Sequence, residues 1–250
     1  MDSGIIIATH KQYWMPGDGM YIPLQVGADV NKNVRLGYRK DNTGDNISSK
    51  NKNYCELTGL YWAWKNLDMS CLGLVHYRRH FSVRKKRSKK DSVLNSNELK
   101  KVLKKTDIIL PKKRHYFIET NYSQYVHAHH AEDLELTRKI IGEKHPRYLQ
   151  AYDKCMKRRS GHKFNMFIMK KQYFNEYCEW LFDILFELEE RLDISDYNEN
   201  DSRVFGFVSE RLLDVWLTAK GYSYVELPYI FMEKQNWPLK IARFLKRKFG

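Results

Sequence analysis

The stretch CLGLVHYRRHF, Cys71–Phe81, decides how the rest of the chain is read. Its apolar run, Leu72–Val75, ends abruptly in His76, Tyr77, Arg78 and Arg79. A short apolar run bounded by polar residues reads as a buried strand. Two adjacent guanidinium forks at the exit of such a strand call for an anion, because their N–H donors match phosphate or carboxylate oxygens. Ordinary salt bridges are the plainer use of the pair. Tandem placement directly after a buried strand favours function.

The same pattern recurs elsewhere. Ile5–Ile7 in GIIIATHK runs into Thr9, His10 and Lys11, and FNMFIMKKQYF runs into Lys170 and Lys171, lysines best read as solvated charges at a helix end. LQVGADV is a short second strand after a Gly/Pro-rich loop, IILPKKRHYF a strand broken at Pro111, and YSYVELPYIF a last strand-like segment. Between them lie helical patterns. CELTGLYWAWKNL repeats Leu57, Leu60, Tyr61 and Trp64, and NEYCEWLFDILFELEERLD carries Tyr177, Leu181, Ile184, Leu185 and Leu188. RVFGFVSERLLDVWLTAKG is a helix that Gly221 can end, NELKKVLKKTD a short surface helix, and NYSQYVHAHHAEDLELTRKIIGEKHP reads as helical up to Pro146. The segments DNTGDNISSKNKNY and SVRKKRSKKDS read as loops. Apolar strands alternating with helices predict an α/β layered fold with a mostly parallel sheet. One domain, residues 1–235, is expected, followed by a basic tail at 236–250.

Composition narrows the function classes. Hydrophobic residues make up 42% of the 250 and aromatics 14%, enough for a full core and unlike a disordered chain. A net charge of +14 asks for an anionic partner: nucleic acid, a phosphorylated substrate or a membrane surface. Cys55, Cys71, Cys155 and Cys178 are scattered without a C-x-x-C pair, as expected of free thiols in a reducing compartment. MDSGIIIATH does not resemble a signal peptide, and no stretch reaches the ~18 apolar residues that span a bilayer. The expected location is cytoplasmic.

Ligands of open α/β sheets bind beyond the carboxyl ends of the strands. There a crevice of cations and aromatic rings suits a nucleotide diphosphate. Ser48 and Asn51 precede a helix and can serve as N-caps; Glu56, inside the apolar helix, needs a partner if buried. Glu210 sits close to the start of a late helix, where it can complement the dipole, pair with Arg211 or act as a general base. The cluster His127, His129, His130 with Asp133 lacks the i, i+4 histidine pair of helical zinc sites, since Ala131 takes that offset from His127. A structural or substrate-contacting role is therefore preferred to a metal site.

Taken together, ISSKNKNYCELTGLYWAWKN, GLVHYRRHF, HAHHAEDL, FNMFIMKKQYFNEYCEWLFDIL and GFVSERLLDVWL resemble the bacterial DUF4422 family, from about Ile5 to Trp237. That resemblance implies a GT-A-like nucleotide-sugar transferase of capsule, exopolysaccharide and O-antigen synthesis. The implied reaction moves galactofuranose from UDP-galactofuranose, or another hexose from its UDP-sugar, to a polyprenol-linked glycan with inversion. His76-Tyr77-Arg78-Arg79 would then stand where many GT-A enzymes carry a metal-binding Asp-x-Asp, with Arg78 or Arg79, helped by His76, neutralising the departing UDP and no metal required. Manganese or magnesium is the alternative. Glu210 would be the general base, with Asp201 and Asp133 in reserve. Thr9, His10, Ser48, Asn51, Glu56, His76 and Tyr77 would bind the donor; His130, Asp133 and Asn165 would face the sugar or acceptor. On a helical tail Trp237, Ile241, Ala242, Leu245 and Phe249 share one face and Lys240, Arg243, Lys246 and Arg247 the other, the pattern of an interfacial helix on an anionic membrane. This places the enzyme on the inner face of the plasma membrane. The competing classes are a nucleic-acid-binding module, which lacks a recognised motif here, and a metal-dependent hydrolase.

Overall fold

The computed structural model describes residues 2–84 and 87–233; the expected tail at 236–250 lies outside them. The first strands are β1 (Ser3–Thr9), β2 (Tyr21–Gln25) and β3 (Arg39–Lys40), followed by helices α1 (Asn51–Tyr54) and α2 (Leu57–Asn66). Then come β4 (Cys71–His76), β5 (Arg79–Phe81), α3 (Ser96–Leu103), β6 (Ile108–Pro111) and β7 (Arg114–His115). Helices α4 (Asn121–Val126), α5 (Ala131–Lys144) and α6 (Leu149–Lys157) lead to β8 (Ser160–Gly161) and β9 (Phe167–Lys170). The chain continues through α7 (Lys171–Arg191), α8 (Val204–Lys220), β10 (Val225–Leu227) and β11 (Tyr229–Phe231).

The main sheet runs β10-β6-β9-β4-β1-β2-β3, with β5 and β11 paired off its side. It is mostly parallel, as expected, but β9 runs antiparallel to both β4 and β6. Alternation along the strands explains why both faces are covered. Ile6, Ala8, Leu72 and Leu74 pack into the larger core with α2, α5, α7 and α8. Ile5, Ile7, Cys71 and Val75 face a second core completed by Met20, Tyr21, Phe81, Leu94 and Leu99. The stripe expected of α7 is buried throughout. Gly73 lets β4 and β9 pack closely: a Cβ there would lie 2.7 Å from the Phe167 carbonyl oxygen. Gly221 ends α8 in the left-handed region, φ 66°, a conformation glycine adopts without cost. All four cysteines are free. Among the described residues no helix is long and apolar enough to cross a membrane.

Five segments differ from expectation. The expected loop DNTGDNISSKNKNY ends in a helix, its last four residues forming α1. Cys71–Phe81 is a strand, a two-residue turn at Tyr77-Arg78 and a returning strand, with His76 opposite Arg79. The helix expected from Asn121 to Pro146 breaks at His127–His130 into α4 and α5, each with its own N-terminus. The second strand starts at Tyr21, inside the expected loop. Helix α6 has no counterpart among the expected elements; its apolar residues Ala151, Tyr152, Cys155 and Met156 are interspersed with Asp153, Lys154 and Lys157.

The loop between β2 and α2 is organised by one buried carboxylate. Asp41 accepts hydrogen bonds from the Gly27 and Ala28 N–H groups at 2.8 and 3.1 Å and from the Ser48 and Thr58 hydroxyls at 2.6 Å each. Asp41→Ala would strand three donors in a dry site, Thr58 keeping the Cys55 carbonyl as an acceptor, so urea unfolding should show a loss of about 3 kcal/mol or more.

Candidate active-site cleft

A cleft of about 740 Å³ opens at the carboxyl edge of the sheet, where open α/β sheets bind their ligands. Ala8 and His10 reach it from the exit of β1, and His76, Tyr77, Arg78 and Arg79 from the exit and turn of β4. Asn51, Lys52, Cys55 and Glu56 come from the junction of α1 and α2, and Arg203, Phe207 and Glu210 from the start of α8. Phe164 and Arg114 close the far wall. The reversed direction of β9 puts its incoming end, not its exit, beside the exit of β4.

The two ends are fixed to each other. His76 donates from Nε2 to the Phe164 carbonyl at 2.5 Å, which assigns that nitrogen its proton. Glu210 Oε1 accepts the Phe164 N–H at 3.1 Å. Asn165 donates to Glu56 Oε1 at 2.8 Å and to the Gly206 carbonyl at 3.2 Å, and accepts from the Ser209 hydroxyl at 3.0 Å. Three residues hold left-handed backbone at this rim, Cys55 at φ 52°, Phe164 at 75° and Asn165 at 51°. Non-glycine residues in that region store strain, which structures retain where geometry matters.

Cations dominate the lining: Lys52, Arg78, Arg79, Arg114 and Arg203 face Glu56, Glu199 and Glu210. Arg78 reaches Glu233 at 3.5 Å. Arg79 lies over the rings of Phe164 and Phe231, at 4.2 and 5.0 Å from their centroids. Among the described residues it has no ion-pair partner, and its buried Nε has no acceptor. Arg203 donates to Cys55 Sγ at 3.1 Å and covers Phe207. Burial lowers the pKa of His10, and Lys11, Arg78 and Arg203 push it the same way. Burial also lowers that of His76, against the pull of Glu56. Burial, then Glu56, pushes the Cys55 thiol up to about 11, so at neutral pH it is not a thiolate.

The expected residues divide by position. His10, Asn51, Glu56, His76, Tyr77, Arg78, Arg79 and Glu210 line the cleft, and Asn165 stands behind Glu56 as its donor. Thr9 is buried, its hydroxyl bonded to the Lys11 carbonyl. Ser48 serves the Asp41 network. Asp133 is buried between the hydroxyls of Tyr125 and Tyr197, and His130 stacks on Tyr197 at the surface. Asp201 holds His129, which stacks on the cleft residue Phe207. Glu210 lies beyond the first turn of α8, where no acidic residue occurs, so its role is not to complement the helix dipole; it does meet Arg211 at 3.3 Å. Lys170 and Lys171, at the opposite edge, pair with Asp107 and Asp68. Among the described residues no His, Cys, Asp and Glu group is arranged to hold a metal ion.

Arg114, Arg203, Phe164 and Phe207 escaped the sequence reading. Arg203 adjoins a turn-rich loop and Arg114 a run of lysines, and only the fold aims them inward. Lys163 escaped too. It is 6% exposed, and its ammonium lies 5.4 Å from the Tyr116 ring centroid.

A family model described as a domain of unknown function (DUF4422) matches residues 4–221. The solved apo structure of WbbM, a bifunctional glycosyltransferase, is similar to this chain with a TM-score of 0.86 and 30% sequence identity. The likeness covers 94% of this chain and 46% of that one, so this chain spans less than half of WbbM. A comparison with curated proteins gave no match.

Burial, then Arg211, lowers the pKa of Lys163 to about 7 from its ordinary 10.5. Between those values the unfolded chain binds more protons at this residue than the folded one, so its contribution to stability rises with pH. Lys163→Met removes that rise. The stability gap between variant and wild type, from urea unfolding, should therefore move in the wild type's favour between about pH 7 and pH 10.

Proposed function

This chain belongs to the DUF4422 family, and from that premise we propose that it is a GT-A-like, inverting glycosyltransferase using a UDP-sugar. Galactofuranose is the proposed donor sugar and a polyprenol-linked glycan of capsule, exopolysaccharide or O-antigen synthesis the acceptor. The likeness to WbbM supports transfer of sugar. The observation that carries the donor class is Arg79, a half-buried guanidinium in the cleft that has, among the described residues, neither an ion pair nor an acceptor for its Nε. An unmatched cation beside Arg78 is a ready seat for a diphosphate.

In this reading the uridine side of the donor lies toward His10, Asn51 and Tyr77. The acceptor hydroxyl approaches Glu210 and its oxygen attacks the anomeric carbon as the bond to the UDP oxygen breaks. Glu210 takes the hydroxyl proton, held in place by the Phe164 N–H and Arg211. The negative charge that develops on the departing phosphate falls to Arg79 and Arg78. Fixed charge aimed at a leaving group is often the largest catalytic term. Neutral His76 acts by orienting the Phe164 carbonyl and the β9 entrance, a positioning role. The basic tail at 236–250 is proposed to hold the enzyme on the cytoplasmic face of an anionic membrane, near its acceptor.

Calorimetric titration with UDP should show binding in excess chelator. Binding that requires manganese would transfer the phosphate contact from the arginines to a metal, and no binding with either would overturn the donor assignment. Arg79→Gln should weaken UDP about 10- to 100-fold, the cost of a charged hydrogen-bonding partner. Glu210→Gln should bind UDP as the wild type does and transfer sugar about 100-fold more slowly; an unimpaired variant would remove Glu210 from the role of base.

A further inference from the structure

Two large apolar side chains stand out from the described surface: Phe117 is 92% exposed and Ile118 68%. They occupy the tip of the loop between β7 and α4, and the base of that loop is pinned. The Tyr116 N–H donates to the Arg159 carbonyl at 2.7 Å, and the Asn121 N–H to the Arg158 carbonyl at 2.8 Å. β7 pairs with β8 beneath them, and Thr120 caps α4 on the outgoing side. Phe117 and Ile118 are thus presented from an anchored base.

The surroundings of the tip are cationic. Lys112, Arg114, Lys157 and Arg159 are exposed, and among the described residues none of these four forms an ion pair. The nearest acid along the loop, Glu119, is held by His127 Nδ1 at 2.7 Å. Exposed apolar residues ringed by unpaired cations match the two requirements of a bilayer interface: acyl chains for the rings and branched carbons, lipid phosphates for the charges. A protein partner would ask for a broader, flatter patch than two residues.

We propose that this loop docks the protein on an anionic lipid bilayer, with Phe117 and Ile118 entering the boundary between headgroups and acyl chains. Docking itself is independent of the transferase reading; only its use, bringing the cleft to a lipid-linked acceptor, rests on it. Arg114 belongs both to the cationic ring and to the cleft wall, so the docked face adjoins the cleft mouth.

The test is co-sedimentation of the full chain with vesicles of phosphatidylglycerol and phosphatidylcholine, or of phosphatidylcholine alone. The wild type should bind the anionic vesicles far better, less so as salt is raised. Phe117→Ser with Ile118→Ser should lower the apparent vesicle affinity about tenfold or more. Lys112→Glu with Arg159→Glu should lower it as well, and both variants should keep the wild-type unfolding midpoint. Equal binding by wild type and the Phe117/Ile118 variant would overturn the proposal and leave attachment to another surface, the 236–250 tail included. A wild type that stays off both kinds of vesicle would overturn it too, leaving the apolar pair to a protein partner. UDP titration of the same samples separates these outcomes from failure of the donor assignment.

Discussion

The direction of β9 is the constraint on which the cleft depends. Parallel strands deliver their exits to one edge of a sheet, and here β1 and β4 do so. A strand inserted between β4 and β6 in the opposite sense brings its entrance to that same edge. Phe164 and Asn165 therefore meet His76 and Glu56 across a short gap, and α8 meets them through Gly206, Ser209 and Glu210. The close contact of Gly73 with the Phe167 carbonyl sets the spacing of the two strands. A larger residue at 73 would press on the Phe167 carbonyl and the Ile168 side chain and push β4 and β9 apart.

Much of the architecture was legible because burial writes itself into apolar periodicity. The runs at Ile5–Ile7 and Leu72–Val75 are strands for the reason that made them readable, alternating side chains that satisfy a core on each face. The stripe of α7 and the glycine stop of α8 follow equally simple rules. Strand sense is different. An apolar run such as FNMFIM has the same pattern in either direction, and its orientation is decided by how the preceding and following segments cross the sheet. Apolar patterning therefore does not say that Asn165, rather than Lys170, lies at the cleft edge.

The cleft was half legible for a related reason. Residues that follow an apolar run directly, His10 and His76 to Arg79, could be placed by counting along the chain. Residues placed by backbone irregularity could not. Cys55, Phe164 and Asn165 adopt left-handed φ without being glycine, so no compositional mark shows where the chain bends to aim Glu56 and Asn165. The polar cluster at His127–His130, read as structural or substrate-contacting, is placed by the fold. It marks a helix break, and its members support Phe207 and Tyr197 from outside the cleft.

The turn at Tyr77-Arg78 has one more consequence. Arg79 pairs across the sheet with Phe231, the Met232 N–H donates to the Arg78 carbonyl, and Glu233 reaches the Arg78 side chain. The last described residues are thus stitched to the two arginines, and the chain leaves for its C-terminus from that seam. Lys89, which donates to the Phe231 and Glu233 carbonyls, and Lys11, which meets Glu233, hold the same seam from the other side. The turn that carries the two arginines into the cleft and the end of the described chain are therefore one short β-ladder.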